Sequence, residues 1–359
     1  MTTCILRTTL TQVESTLREA IALIGYRPQK SALFIKPNLS DAGPPGQGLY
    51  TDPLIVEALV RIFDTHEVVI GEGCVVGRNA ARAFQGTAYA DLATHPRVSL
   101  LDLDEVKRYA AQWDFGVIRL PELLLSHEYI NVAKMKTHIQ TGVSLSLKNQ
   151  KGLLLPVDKK RFHRKGLHSR IRTLGSLVQP NLIIVDGIVA LEGNGPWRFG
   201  TPVDMNLLIV GDDMVEVDNV CREIMGFAPE EAPHIPPMDE LHTLGIPIEE
   251  VRRKFTLDFP GFFTYRNLYE HINDSCSGCN IAIYHAVRQL RNSWLGRARF
   301  QLRADWRRTD IIMGHPEEVP PDHGRIICLG DCTRRFAREH NLTFVAGCPP
   351  DPEDLVRIF

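Results

Sequence analysis

The sequence predicts an α/β protein with two parts: a Rossmann-like parallel sheet in an N-terminal domain and a smaller α/β C-terminal domain. Two observations predict it. Through the first 230 residues, short apolar runs alternate with amphipathic stretches, the pattern of βα units on a parallel sheet. After residue 260 the same alternation returns on a smaller scale. A chain of 359 residues has room for about two domains of roughly 150 residues, each with a buried core.

Taken in order, the expected strands of the first domain are 32–35 (ALFI), 67–70 (EVVI), 98–103, 129–132, 182–185 (LIIV) and 205–210, each running into polar or glycine-rich sequence. Helices are expected over 12–23, 53–63 and 214–225. Pro53 suits a first helical turn, with Asp52 before it as the cap. The Pro- and Glu-rich stretch 228–260, containing APEEAPHIPP, reads as an irregular connector with a small helix near 238–244. The boundaries that follow are 1–230 for the first domain, 231–260 for the connector and 261–359 for the second domain. Strands in the latter are expected at 311–313, 325–329 and 342–345.

Composition excludes several classes of function. Lys plus Arg, at 41, nearly balances Asp plus Glu, at 43, so no overall field holds a polyanion or an anionic membrane surface. No nucleic-acid or membrane partner is expected, and any anion site must be local. The first residues, MTTCILRTTLTQVEST, lack the basic flank and apolar core of a signal peptide, and no run approaches the ~20 apolar residues of a membrane span. The chain is read as cytoplasmic.

Five of the eight cysteines, Cys276, Cys279, Cys328, Cys332 and Cys348, fall in the last quarter. In a reducing compartment such crowding points to metal rather than disulfides. Cys276-Ser-Gly-Cys279 precedes a helix-like segment; Cys332 follows the run RIICLG, and Cys348 follows LTFVAG. These are helix starts and strand-to-helix turns, where backbone donors and the positive helix end stabilise thiolate and an anionic cluster. Cys276, Cys279, Cys332 and Cys348 are therefore the candidate ligands of a [4Fe-4S] cluster, while Cys328, inside an apolar run, reads as core with ligation as its alternative. A structural zinc site would use the same four thiols, and buried, unligated cysteines are a further, weaker alternative. The spacing is not that of the compact bacterial ferredoxin run, so the ligands must converge through tertiary folding.

The first domain carries the polar chemistry. NVAKMKTHIQTGVSLSLKNQKGLL interleaves Lys134, Lys136, His138, Lys148, Asn149 and Lys151 with small hydroxyl residues after a strand end. That density of cations and donors suits a phosphate or carboxylate, although the alternation in VSLSLK also fits a half-exposed strand with solvated lysines. Lys36 and Asn38 follow ALFI, Asp186-Gly187 follows LIIV, and EGNGP (192–196) supplies a turn. Parallel sheets bind ligands at the carboxyl ends of their strands, so Lys36, Asn38, Lys134, Lys136, Asn149 and Lys151 are expected to bind a small anionic substrate. His138, Lys148, Glu192 and Asp186 are the candidates for catalysis. His163 and His168, in RFHRKGLH, read as a solvated basic loop, with ligand or proton-transfer roles as the alternative. Neither a dinucleotide fingerprint nor a P-loop is present.

KPNLS, TDP, KMKTHIQTGVSLSLKNQKGLL, VDGIVALEGNGP and GDDMVEVDNVCREIMG, in that order, resemble the family catalogued as domain of unknown function 362, over residues 31–227. The tail, with CSGC, GDC and GCPP, resembles the iron-sulfur C-terminus of some members. The resemblance implies a [4Fe-4S]-associated enzyme, although many members carry a compact ferredoxin cassette from which this sequence departs. The expectation is thus an iron-sulfur oxidoreductase, or a cluster-assisted lyase or isomerase, supplied by an electron-donor protein and compatible with a homo-oligomer. The alternatives are a non-catalytic electron-transfer protein and a zinc-stapled binding protein.

Overall fold

Runs rich in β-branched and aromatic residues become the inner strands of a large sheet, as their fit to a pleated, buried surface dictates. The computed structural model describes residues 2–40, 42–75, 78–162, 166–193, 195–196, 200–257, 267–273, 275–292 and 308–358. It separates into two units, 1–158 with 168–258, and 159–167 with 259–359.

The strands of the first unit are β1 (Thr3–Arg7), β2 (Ala32–Pro37), β3 (Glu67–Glu72), β4 (Val98–Asp102), β5 (Arg108–Trp113), β6 (Gly116–Pro121), β7 (Glu128–His138), β8 (Gly142–Ser144), β9 (Leu182–Gly193), β10 (Gly200–Gly211) and β11 (Thr243–Gly245). The sheet runs β11-β1-β10-β9-β7-β2-β3-β4, with β8 folded back on β7 and β5-β6 a separate hairpin. Strands β4, β3, β2, β7 and β9 are mutually parallel, so their carboxyl ends share one edge. The sheet is parallel-rich rather than wholly parallel, because β10 pairs antiparallel with both β9 and β1.

Helices α1 (Val13–Leu23) and α2 (Pro53–Ile62) lay Leu17, Ile21, Ile55 and Leu59 on Leu33, Ile35, Val68 and Ile70 of the sheet. Each such side chain contributes about 1.5–3 kcal/mol by leaving water. The start of α2 is fixed as its sequence predicts: Pro53 opens it and the Asp52 carboxylate accepts from the Leu54 N–H at 3.0 Å. The helix expected near 238–244 is instead strand β11, which pairs with β1 and satisfies backbone groups that the edge strand would otherwise leave open.

In the second unit β12 (Leu268–Asn273), β13 (Thr309–Gly314), β14 (Arg325–Leu329) and β15 (Thr343–Val345) form a parallel sheet in that order. Alternation along the strands divides their side chains between two apolar clusters. Ile311, Met313, Ile327 and Leu329 meet Ala282, Ile283 and Val287, while Ile312, Ile326 and Cys328 meet Phe336 and Ala337.

Candidate functional site

Strand β7 carries the densest chemistry because its polar half continues the strand instead of leaving it: all of Glu128–His138 is buried. A lysine inside a sheet needs partners, since an unpaired charge in low dielectric costs several kcal/mol. The neighbouring strands supply them. Lys134 Nζ lies 2.6 Å from Asp186 Oδ2, at the matching register position on β9. Lys36 Nζ, at the end of β2, lies 2.8 Å from Glu72 Oε1, at the end of β3, and also donates to Asn149 Oδ1 and the Pro37 carbonyl. Lys136 Nζ donates to Asn38 Oδ1 at 2.7 Å and to the Leu49 carbonyl at 2.8 Å. Burial first, and then the charges of Lys134 and Lys36, push the Lys136 amine down to about 7, against the pull of Glu72. The structure therefore draws Lys36, Asn38, Lys134, Lys136, Asn149 and Asp186 together at the shared strand edge. There most of their hydrogen-bonding capacity is turned inward.

Lys148 differs. It sits on α3 (Ser146–Asn149), a single helical turn held by the Asp218 carboxylate, which accepts from Ser146 N, Ser146 Oγ and Leu147 N at 2.6–2.9 Å. Lys148 is partly exposed and makes no hydrogen bond or ion pair with the described residues. Desolvation, followed by Lys151 and Lys136, pulls its amine well below the usual lysine range. An amine at that position can donate hydrogen bonds to an anion. Lys151 follows on a 3₁₀ turn, Gln150–Leu153.

Among the other catalytic candidates, Asp186 accepts from Asp52 N and Ile188 N as well as Lys134. Glu192 pairs with Arg253 at 2.9 Å and accepts from Thr256 N. His138 Nδ1 accepts from Gln140 N, so the neutral ring carries its proton on Nε2. Gly195 packs on the end of β7: the Ile139 N–H donates to the Gly195 carbonyl, and a Cβ on Gly195 would lie 2.2 Å from the Thr137 carbonyl oxygen. His163 lies outside the described residues. His168 is half-buried on α4 (Leu167–Leu177) rather than on a solvated loop. Its ring lies 5.5 Å from that of His234, which is fully buried. Neither His234 nor Asp218 is among the residues that the sequence motifs single out; burial pushes the Asp218 carboxyl up to about 7.

In the second unit, Cys276 and Cys279 lie at the start of α5 (Ser277–Asn292), Cys332 on the turn Asp331–Thr333 after β14, and Cys348 after β15. Parallel strands release these turns at one edge. Burial, and then Cys276, Cys332, Cys348 and Asp331 in that order, raise the Cys279 thiol well above its ordinary value. The candidate thiols are thus within electrostatic range of Cys279. Among the described residues, no set of three His, Cys, Asp or Glu side chains closes to metal-binding distance. Backbone fills the space between the turns: Gly330 (φ +83°) is so close that a Cβ there would lie 2.8 Å from Cys279 Sγ. Asp331 ties the turns together, its N–H donating to the Gly347 carbonyl and its carboxylate accepting from the Gly347 N–H. Cys328 stands apart, packed with Phe336 in the opposite cluster, where burial pushes its thiol up to about 11.

Among the described residues, no helix is long and apolar enough to cross a membrane. A family model described as "Domain of unknown function (DUF362)" matches residues 33–223. The thylakoid-associated protein sll1697 of Synechocystis sp. is 28% identical over 242 residues, which cover 64% of this chain and 72% of that protein.

Proposed function

This chain belongs to the family described as domain of unknown function DUF362, and on that premise we propose that it is a [4Fe-4S]-dependent redox enzyme acting on a small anionic metabolite. The observation that carries the reading is the thiol set of the second unit: turns after adjacent parallel strands, with Cys279 in electrostatic range of Cys276, Cys332 and Cys348. The chemistry of the donor set suits an iron-sulfur cluster. It is all thiol, it lies at turns rich in backbone N–H groups, and Gly330 and Gly347, both at positive φ, leave no side chain in the way. A cluster held there supplies one-electron transfer, and four protein thiolates favour that role over Lewis-acid chemistry at an open iron.

The residues of the first unit do the rest. Lys148 presents an unpaired amine to the anion, and Lys136, with its near-neutral pKa, is suited to hold or release a proton at Nζ. Asn38 and Asn149 keep Lys136 and Lys36 in place, and Asp218 fixes the turn that carries Lys148. The reducing environment that thiols and cluster require suits a cytoplasmic location.

Reoxidation of the dithionite-reduced protein by a panel of small carboxylates and phosphate esters tests the proposal. The expected result is reoxidation by at least one compound, lost in Lys148→Met with the reduced spectrum intact. Reoxidation by carrier proteins alone, unaffected by Lys148→Met, would identify an electron-transfer protein instead.

A further inference from the structure

The His234 imidazole is 0% exposed, and neither Nδ1 nor Nε2 has a hydrogen-bond partner among the described residues. Buried ring nitrogens are nearly always satisfied, and each one left open costs about 1–3 kcal/mol. The groups around it repeat the pattern. His168 holds its ring 5.5 Å away, with a hydrogen bond to the Gln140 backbone and an open Nδ1. Lys148, on α3, has no hydrogen-bonding or ion-pair partner among the described residues. Arg172, one turn beyond His168 on α4, has one guanidinium nitrogen fixed by the carbonyl of Pro233, the residue before His234.

We propose that Lys148, His168, Arg172 and His234 form a subsite for one oxyanion group, a carboxylate or phosphate, of a small metabolite. Every member is a donor or becomes a cation, and no carboxylate is among the charges acting on His234: burial first, then His168, Lys148 and Arg172, push it down to about 3. An oxyanion carries several lone pairs and a negative charge, so it satisfies the open nitrogens and cancels the repulsion among the cations. A metal ion would find only the two imidazoles and would meet an ammonium and a guanidinium of its own sign. This subsite deepens the anion-binding half of the proposed function and is independent of the cluster. It moves the anchor for the anion away from Lys36 and Lys134, whose charges are matched by Glu72 and Asp186, onto residues from α3, α4 and the segment following the turn Pro229–Glu231.

Calorimetric titration of the full chain with inorganic phosphate, and separately with malonate, tests it, alongside ¹⁵N spectra of the histidine rings. The expected result is saturable binding of at least one probe, a shift of the His234 ring signals, and weakening by about tenfold or more in both Lys148→Met and His234→Asn. Lys148→Met removes a partly exposed group that no described residue pairs with, so it reports on the site even if His234→Asn does not fold. Absence of binding by both probes, or binding that Lys148→Met leaves unchanged, would overturn the proposal. Stoichiometric zinc binding that shifts both rings while the anions do not would overturn it in favour of a metal site. Anion binding by protein devoid of iron would uphold the subsite while the cofactor reading falls; loss of the subsite in protein that keeps its iron would be the reverse.

Discussion

Replacing Lys36 by Met should destabilise the first unit more than any exposed substitution could. The Lys36 and Glu72 side chains are 0% and 3% exposed and meet at 2.8 Å. Removing the ammonium leaves the Glu72 carboxylate, among the described residues, with the Leu39 and Gly73 N–H groups. Gly152 packs closely on the pair: a Cβ at that position would lie 2.1 Å from Glu72 Oε1 and 2.5 Å from Lys36 Nζ. Breaking one side of a buried pair costs about 3–5 kcal/mol. The adjacent amides of β2 and β3 should then exchange roughly a hundredfold to several thousandfold faster. Hydrogen exchange resolved by segment reads this free energy for the first unit alone. Lys36→Met combined with Glu72→Gln removes the orphaned charge and should recover most of the loss. A loss below about 1 kcal/mol in Lys36→Met, or no recovery in the double variant, would refute the reasoning.

Two further outcomes follow from burial. Asp218 has a folded-state pKa raised from 3.8 to about 7, chiefly by desolvation, so the folded protein holds a proton that the unfolded chain has released across that window. Stability should be highest below about pH 4 with respect to this group and decline as pH rises through 7, by on the order of 4 kcal/mol. Denaturant melts from pH 4 to 8 should show that slope flattened in Asp218→Asn, and an unchanged slope would show that another group governs it. Cys328→Ala should retain the iron content of the parent protein at a cost of about 1 kcal/mol, whereas Cys332→Ser and Cys348→Ser should lose it. Iron analysis of the three variants decides this, and loss of iron in Cys328→Ala alone would place the ligands on the other face of β14.

The parallel-rich architecture was legible because βα alternation is a local pattern. ALFI, EVVI and LIIV each open a strand where periodicity expects one, and Pro53 with Asp52 marks a helix start. Short, half-polar β1 and β11, by contrast, carry no clear period, and their strand character comes from pairing with each other and with β10. Strand β7 runs six residues beyond the apolar stretch because Asp186 on β9 and Asn38 after β2 satisfy its lysines, partners that a local window cannot see. The same blindness explains the site. Residue type identified the cations and the cysteines, but whether a lysine is matched, like Lys36, or open, like Lys148, depends on distant residues. His234 sits in a Pro- and Glu-rich segment that reads as solvated connector. Its apolar neighbours Ala232 and Ile235, both buried, were the one faint signal that the segment turns inward.

The most direct test of the account is the metal and sulfide content of the full chain purified without oxygen, read with its visible and electron paramagnetic resonance spectra. The expected result is brown protein with about four iron and four sulfide per chain, together with a paramagnetic signal on reduction. Colourless protein carrying about one zinc per chain and no sulfide would contradict it.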